Sequence, residues 1–192
     1  MNLILASESP YRKELLERLH LSFICKPAHI DEESIWEKNL SPLEVSVELA
    51  KMKAEKIFED NKNSIIIGSD QVICQGTKIF GKPKTFEKAV GQLIELQQAP
   101  HKLITSVCIL SNDQIITFSN TTTLTIRKDL TENDFIQYVK KDLPLNCAGS
   151  YKIETMGIGL FESIETSDFT SIIGLPLMEL SKQLKLFNIS IF

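Results

Sequence analysis

Apolar and polar positions along the chain follow two rhythms, one of strands and one of helices. Residues 2–6, NLILA, are apolar without a break from Leu3 onward and predict a short buried strand. Pro10 to His20 then places Leu15, Leu16 and Leu19 at helical spacing. Ser9 offers a side-chain acceptor as N-cap, and Pro10 lacks a surplus N–H at the first helical position. LSFICKP predicts a second strand, and a polar, acidic loop containing HIDEES follows it. Ser41 and Pro42 open a long amphipathic helix, PLEVSVELAKMKAEKIFED, whose apolar face is expected at Leu43, Val47, Ala50, Ala54 and Ile57.

The second half adds strands faster than helices. SIIIGSDQVICQGTKIFGKPKT reads as a strand, a central Gly-Ser-Asp, a continuing strand and a turn near Gly76. Thr85 is the expected cap of the helix FEKAVGQLIEL, and Thr131 of the helix ENDFIQYVKK. Between them, β-branched residues on both sides of Asn112-Asp113 predict a long antiparallel hairpin. The dense stretch PLNCAGSYKIETMGIGLFESI leads to IIGLPLMELSKQL, which ends in a helix. No repeat, low-complexity segment or linker interrupts the 192 residues. The expectation is an α/β or mixed α+β fold, with a mixed sheet, in one domain of residues 1–192 that is compact or bilobal.

Composition narrows the classes. With 43% apolar and 24% charged residues the chain resembles an ordinary globular protein, and its net charge of −4 argues against a nucleic-acid binder. The four cysteines and three histidines are scattered, which fits reduced thiols and argues against a zinc site or a disulfide framework. NLILA is too short for a signal-peptide core, and no stretch is long enough to span a membrane. A cytoplasmic protein is expected.

Candidate chemistry begins where a helix rule is broken. Arg12 and Lys13 put two cations in the first turn, at the positive end of the helix dipole. With the Ser7 and Ser9 hydroxyls they would suit a polyanion such as a triphosphate, although side chains extending into water account for them equally well. Asp70 follows a run of buried-strand character, where a carboxylate is costly without a partner. It is a candidate metal ligand or general base, against the alternative of a solvent-facing strand end. Asp31, Glu32 and Glu33 could supply a second carboxylate for a divalent cation, or form a solvated acidic loop. Lys53 and Lys82 could neutralise phosphate or be ordinary surface lysines; Lys82 is held in a restricted backbone before Pro83. In CAGSYKIE, small residues at 148–150 precede Tyr151, Lys152 and Glu154, which reads as a tight functional loop. Cys147 has no nearby histidine to activate it as a nucleophile. The sum is an anion site, a carboxylate pair and a few lysines, pointing to metal-assisted phosphoryl chemistry or nucleotide binding without naming a substrate.

LILASESPYRKELLERL, HIDEE, SIIIGSDQV, GKP, CAGSYKIE, GIGLFESI and IIGLPL, in that order, resemble the motifs of the Maf family over essentially the whole chain. The resemblance implies a two-lobed mixed α/β fold, similar to that of inosine triphosphatases, around an elongated sheet with a nucleotide cleft. It implies hydrolysis of the α–β phosphoanhydride of non-standard nucleoside triphosphates to a monophosphate and pyrophosphate, with Mg²⁺ or Mn²⁺. The family's acidic catalytic residue falls on Asp70, and its phosphate- or metal-handling residues on Arg12, Glu32, Lys53 and Lys82. The metal ligands implied are Asp70 and Glu32. At the three specificity positions the chain has Tyr11, Gln71 and Glu154, as in the YceF-type branch that acts on 7-methyl-GTP. The pyrimidine branch for dTTP and UTP has Arg, Thr and Gln there. Thr155 and Thr166 stand where family members often have glycine. The partners implied are a small-molecule nucleoside triphosphate and a second copy in a homodimer, with neither nucleic acid nor membrane. Two alternatives stay open: a dTTP/UTP-type enzyme, and a non-catalytic nucleotide-binding regulator of cell division and septum formation.

Overall fold

In a computed structural model, which describes residues 2–32, 35 and 38–192, the uninterrupted apolar runs become the centre of a seven-stranded mixed sheet. The strands are β1 (Asn2–Leu5), β2 (Phe23–Cys25), β3 (Ser64–Gln75), β4 (Lys78–Phe80), β5 (His101–Leu110), β6 (Ile115–Ile126) and β7 (Phe161–Glu165). Their order is β2-β1-β3-β5-β6-β7, with β4 paired to β3. The helices are α1 (Pro10–Glu17), α2 (Pro42–Phe58), α3 (Phe86–Leu96), α4 (Glu132–Asp142), α5 (Thr170–Ile173) and α6 (Leu177–Leu184). No helix among the described residues is long and apolar enough to cross a membrane. The chain divides into two compact units. Unit 1 is Met1–Gln71, Ile104–Asn120 and Asp168–Phe192; unit 2 is Val72–Leu103 and Thr121–Ser167.

In unit 1, β1 pairs in parallel with β2 and with β3, Leu3 lying opposite Phe23 and Ile65. Parallel strands buried on both faces read as continuous apolar runs, which is why NLILA and SIII show no alternation. The two faces are nevertheless distinct, because successive side chains point to opposite sides. Leu3, Leu5, Ile65, Ile67, Val107 and Ile109 pack with Leu15 and Leu16 of α1 and with Leu177, Leu180 and Leu184 of α6. Ile4, Ala6, Ile66 and Cys108 pack on the other face with Ala50, Ala54 and Ile57 of α2. With α1 and α2 on opposite faces and the order β2-β1-β3, the topological switch point lies at the carboxyl end of β1. Open α/β sheets bind ligands at such a point.

The caps expected from sequence form as such: Ser9, Thr85 and Thr131 each accept a backbone N–H three residues on. Thr131 with Asp134, and Ser41 with Glu44, go further and form reciprocal capping boxes. The helix at Pro10 stops at Glu17, short of His20. The expected apolar face of α2 needs correction in its first turns. Leu43 is exposed and Val47 half-buried, while Val45, Ser46 and Leu49 are buried. Buried Ser46 makes this face possible by bonding the Ser106 hydroxyl at 2.8 Å.

Unit 2 packs α3 against α4, with Ala89, Val90, Leu93 and Leu96 buried on one and Phe135, Tyr138 and Val139 on the other. β3 turns into β4 through Gly76, as expected, and β7 pairs antiparallel with the end of β6. His101, Tyr151 and Phe161 form an aromatic cluster beneath the segment carrying Lys152 and Glu154.

Candidate functional site

Strand alternation distributes the chemistry of Gly68-Ser69-Asp70-Gln71. The even positions continue the α2 face. Gly68 lies so close to α2 that a Cβ there would stand 2.2 Å from the Ala50 carbonyl oxygen. Two residues on, Asp70 meets Lys53 of α2, Oδ1 to Nζ 2.6 Å. Asp70 therefore does not face solvent from a strand end. It sits within β3 and is 7% exposed. The same Lys53 ammonium lies 2.8 Å from Glu32 Oε1, so one cation bridges two carboxylates.

Burial raises the Asp70 carboxyl above its ordinary range, opposed by the charges of Lys53 and Arg12. Burial likewise lowers the Arg12 guanidinium, opposed by Asp70 and Glu32. The four groups form one electrostatic cluster, in which burial and the Glu32 carboxylate oppose the charged form of Asp70 while Lys53 and Arg12 favour it. A carboxyl whose pKa burial raises is a stronger proton acceptor than an ordinary carboxylate once it is ionised.

The odd positions face α1 and the segment before α6. Ser69 Oγ donates to the Gly174 carbonyl at 3.0 Å. Gln71 Nε2 donates to the carbonyls of Ser171 and Ile172 and to Thr105 Oγ1, each at 3.0 Å. Two carbonyl acceptors fix the orientation of that amide. Gln71, expected from the resemblance at a specificity position, is thus part of the scaffold through its nitrogen.

At the carboxyl end of β1, Ser7 Oγ accepts the Ser9 N–H and Ser9 Oγ accepts the Arg12 N–H. Both hydroxyls use an acceptor lone pair, which leaves the O–H hydrogens as the donors for an anion. The two cations of the first turn part company. Arg12 Nε bonds the Gly174 carbonyl, whereas exposed Lys13 pairs with Glu17 one turn on, at 3.7 Å. Tyr11 is exposed beside them. Asp31 is exposed in the acidic loop, and Glu33 lies outside the described residues.

In unit 2, Lys82 and Glu154 are exposed, and both act electrostatically on Cys147, Lys82 lowering and Glu154 raising its pKa. Burial raises that thiol further, so it is a poor nucleophile. The segment carrying Glu154 is held on either side of that residue. Tyr138 Oη accepts the Lys152 N–H at 3.0 Å, and Thr155 Oγ1 bonds Asp142 Oδ2 at 2.7 Å. Thr166, the second departure from glycine, accepts a hydrogen bond from Thr122.

Asp70 and Glu32 suit a hard divalent cation in kind. Both supply carboxylate oxygens, and the ammonium they share shows that a positive charge is stable between them. Mg²⁺ is commonly held by one or two carboxylates with substrate phosphates completing its shell. No group of three or more metal-ligating side chains occurs among the described residues.

Sequence reasoning passed over Ser69, Thr105, Asn120 and Gly174, which hold the Gln71 and Arg12 side of the site. The only signal was the unassigned motif IIGLPL, where a glycine precedes a proline-bearing helix start.

The chain is similar to known proteins over nearly its whole length. The family model described as Maf-like protein matches residues 2–187. The chain is 42% identical over 187 residues to the 7-methyl-GTP pyrophosphatase of Bdellovibrio bacteriovorus, covering 97% of both chains. It is 40% identical over 182 residues to the 7-methyl-GTP pyrophosphatase of Pseudomonas putida, covering 93% of this chain and 92% of that one. Among solved structures, the Staphylococcus aureus Ham1 protein is similar at a TM-score of 0.47 and 14% identity, over 66% of this chain and 72% of that one.

Proposed function

The chain belongs to the Maf family, and from that premise we propose that it is a nucleoside triphosphate pyrophosphatase that hydrolyses 7-methyl-GTP to 7-methyl-GMP and pyrophosphate. The observation that carries the reaction is the Lys53 ammonium bridging buried Asp70 and exposed Glu32, with Arg12 in the same electrostatic cluster. The substrate follows from relatives of that name that match nearly end to end.

The triphosphate is held at the start of α1 by backbone N–H groups, the Ser7 and Ser9 hydroxyls and Arg12. Lys53 and Lys82 offset the remaining phosphate charge, and exposed Lys13 adds to the positive potential. Asp70 orients a water and takes its proton as the oxygen attacks the α-phosphorus. The bond from that phosphorus to the bridging oxygen breaks, and pyrophosphate leaves with the electron pair. A divalent cation, Mg²⁺ or Mn²⁺, would be held by Asp70 and Glu32, and when bound it supplies charge neutralisation at the anhydride.

Base choice rests on Tyr11, Gln71 and Glu154. Methylation at N7 makes the guanine ring cationic, so the Tyr11 face attracts it beyond ordinary stacking. The Glu154 carboxylate accepts from N1–H and N2–H together. A pyrimidine presenting O4 would leave that carboxylate unsatisfied.

The test is pyrophosphate release, scored apart from free phosphate, from 7-methyl-GTP, GTP, dTTP, UTP and CTP with Mg²⁺ or Mn²⁺. Fastest release from 7-methyl-GTP is expected. Fastest release from UTP or dTTP would keep the reaction and discard the base recognition. No turnover of any nucleotide would leave a binding or division-control role.

A further inference from the structure

We infer that Gly174 is a positioning residue for Arg12: its carbonyl oxygen fixes the guanidinium through Nε, so that phosphate recognition falls to the Nη groups. This deepens the reading of Arg12 as a phosphate ligand and rests on it.

The carbonyl is held on every side. Gly174 O accepts Arg12 Nε–H at 3.2 Å and Ser69 Oγ–H at 3.0 Å. The preceding carbonyls are gripped from the same strands, Ser171 O by Thr105 Oγ1 at 2.7 Å and Ile172 O by Gln71 Nε2 at 3.0 Å. The outer end of the segment is tied by Asp168, whose Oδ1 accepts the Thr170 N–H at 2.9 Å and whose Oδ2 accepts the Met178 N–H at 2.8 Å. Thr170 Oγ1 closes the loop by accepting the Leu177 N–H. Nearly all of these bonds are local or use side chains of β3 and β5, so the Gly174 carbonyl has little freedom to move.

Glycine is required there twice over. Its φ of +139° is one that L side chains rarely adopt, and a Cβ would stand 3.0 Å from Arg12 Cγ and 3.3 Å from Nε. The arginine stem lies in the space that a side chain would fill. An arginine alone can serve both partners, since its planar fork bonds a carbonyl along one edge and a phosphate along another. Lysine would keep the charge and lose that division of labour.

The experiment is a double-mutant cycle of Arg12→Lys and Gly174→Ala. It is read on kcat/KM for 7-methyl-GTP and, in parallel, on the Kd for inorganic tripolyphosphate. Each single substitution is expected to weaken both readouts at least tenfold, mainly through KM, and the pair to be no worse than Arg12→Lys alone. Should Gly174→Ala fail to fold, Ser69→Ala replaces it, removing one of the two donors on the carbonyl without touching the backbone. It is expected to cost severalfold in the unsubstituted protein and nothing on the R12K background. Losses that multiply undiminished on that background would overturn the inference, as would failure of the unsubstituted protein to bind tripolyphosphate. Absence of turnover with an intact binding cycle would instead count against the enzymatic reading.

Discussion

Gly68→Ala is the sharpest test of how the sheet presents Asp70. The added Cβ would stand 2.2 Å from the Ala50 carbonyl oxygen and 2.8 Å from the Ala54 nitrogen, both backbone atoms of α2. Ordinary contact begins at 3.4 Å, so the helix and strand must separate by about 1.2 Å. No rotamer change can relieve a clash with backbone. Overpacking of this kind costs about 3 kcal/mol, the upper end for small-to-large core changes. In a chain of this length that is a fall in Tm of roughly 6–12 °C. The same separation strains the 2.6 Å contact between Lys53 on the helix and Asp70 two residues on. Weakening it by about 1.4 kcal/mol in the transition state would lower kcat tenfold. Thermal unfolding by circular dichroism and pyrophosphate release at a temperature well below both transitions separate the two effects. Gly91→Ala is the control, because a Cβ there meets nothing within 4 Å. In the exposed interior of α3 it should stabilise by about 0.5–1 kcal/mol. Equal Tm values for Gly68→Ala and the unsubstituted protein would refute the close approach of β3 to α2.

Three other perturbations read separate parts of the molecule. Glu154→Gln should lower kcat/KM for 7-methyl-GTP roughly 10- to 100-fold, the worth of hydrogen bonds to a charged group, and leave UTP turnover nearly unchanged; an unaltered preference would remove Glu154 from base recognition. Asp70→Asn should abolish turnover without lowering Tm at pH 7. Burial raises the Asp70 carboxyl above its unfolded value, so the ionised form costs stability once pH exceeds the folded pKa, and any gain from the amide should shrink as pH falls. A large fall in Tm at pH 7 would show that ion pairing with Lys53 outweighs burial. His101 is buried and its pKa is lowered to about 4 from 6.5. Its neutral form supports the fold above pH 6.5, and that support is lost as pH falls towards 4, about 2 kcal/mol by pH 5. Chemical denaturation at pH 7 and pH 5 should show a smaller drop for His101→Gln; equal drops would clear His101 of the acid sensitivity.

The parts legible in the sequence were those that leave a local pattern. NLILA, the hairpin about Asn112-Asp113 and the caps at Ser9, Thr85 and Thr131 announce themselves within a few residues, because strand burial and orphan N–H groups are local demands. The first turns of α2 were misread because Ser46 counts as polar. Its burial depends on Ser106, 60 residues on, and no hydrophobic period records that partner. The phase of the helix is set by the Gly68 contact with Ala50 and Ala54, a constraint written in small residues rather than large ones. Within the site, Asp70 and Arg12 stood out as charges in costly places. Lys13 stood out equally, yet its i,i+4 spacing to Glu17 already held a sufficient partner.

Residues 68–71 show why the remaining members of the site leave so faint a trace. One strand of alternating direction serves two helical layers, giving Gly68 and Asp70 to α2 and Ser69 and Gln71 to the segment before α6. Asp70 and the polar groups that hold the Gly174 segment beside Arg12 are therefore neighbours in sequence and opposed in space. Apart from the Thr105 hydroxyl, the partners of the second set lie 100 or more residues away and are backbone carbonyls, which every residue possesses and no composition reveals. In the sequence Ser69 carries no signal of its own beside Asp70, and Gln71 stands out only through the family resemblance. The structure turns Asp70 towards α2 and both of these residues towards the segment before α6. It follows that Ser69→Ala and Asp70→Asn, adjacent substitutions, should fail differently, the first in affinity for the triphosphate and the second in turnover of the bound nucleotide.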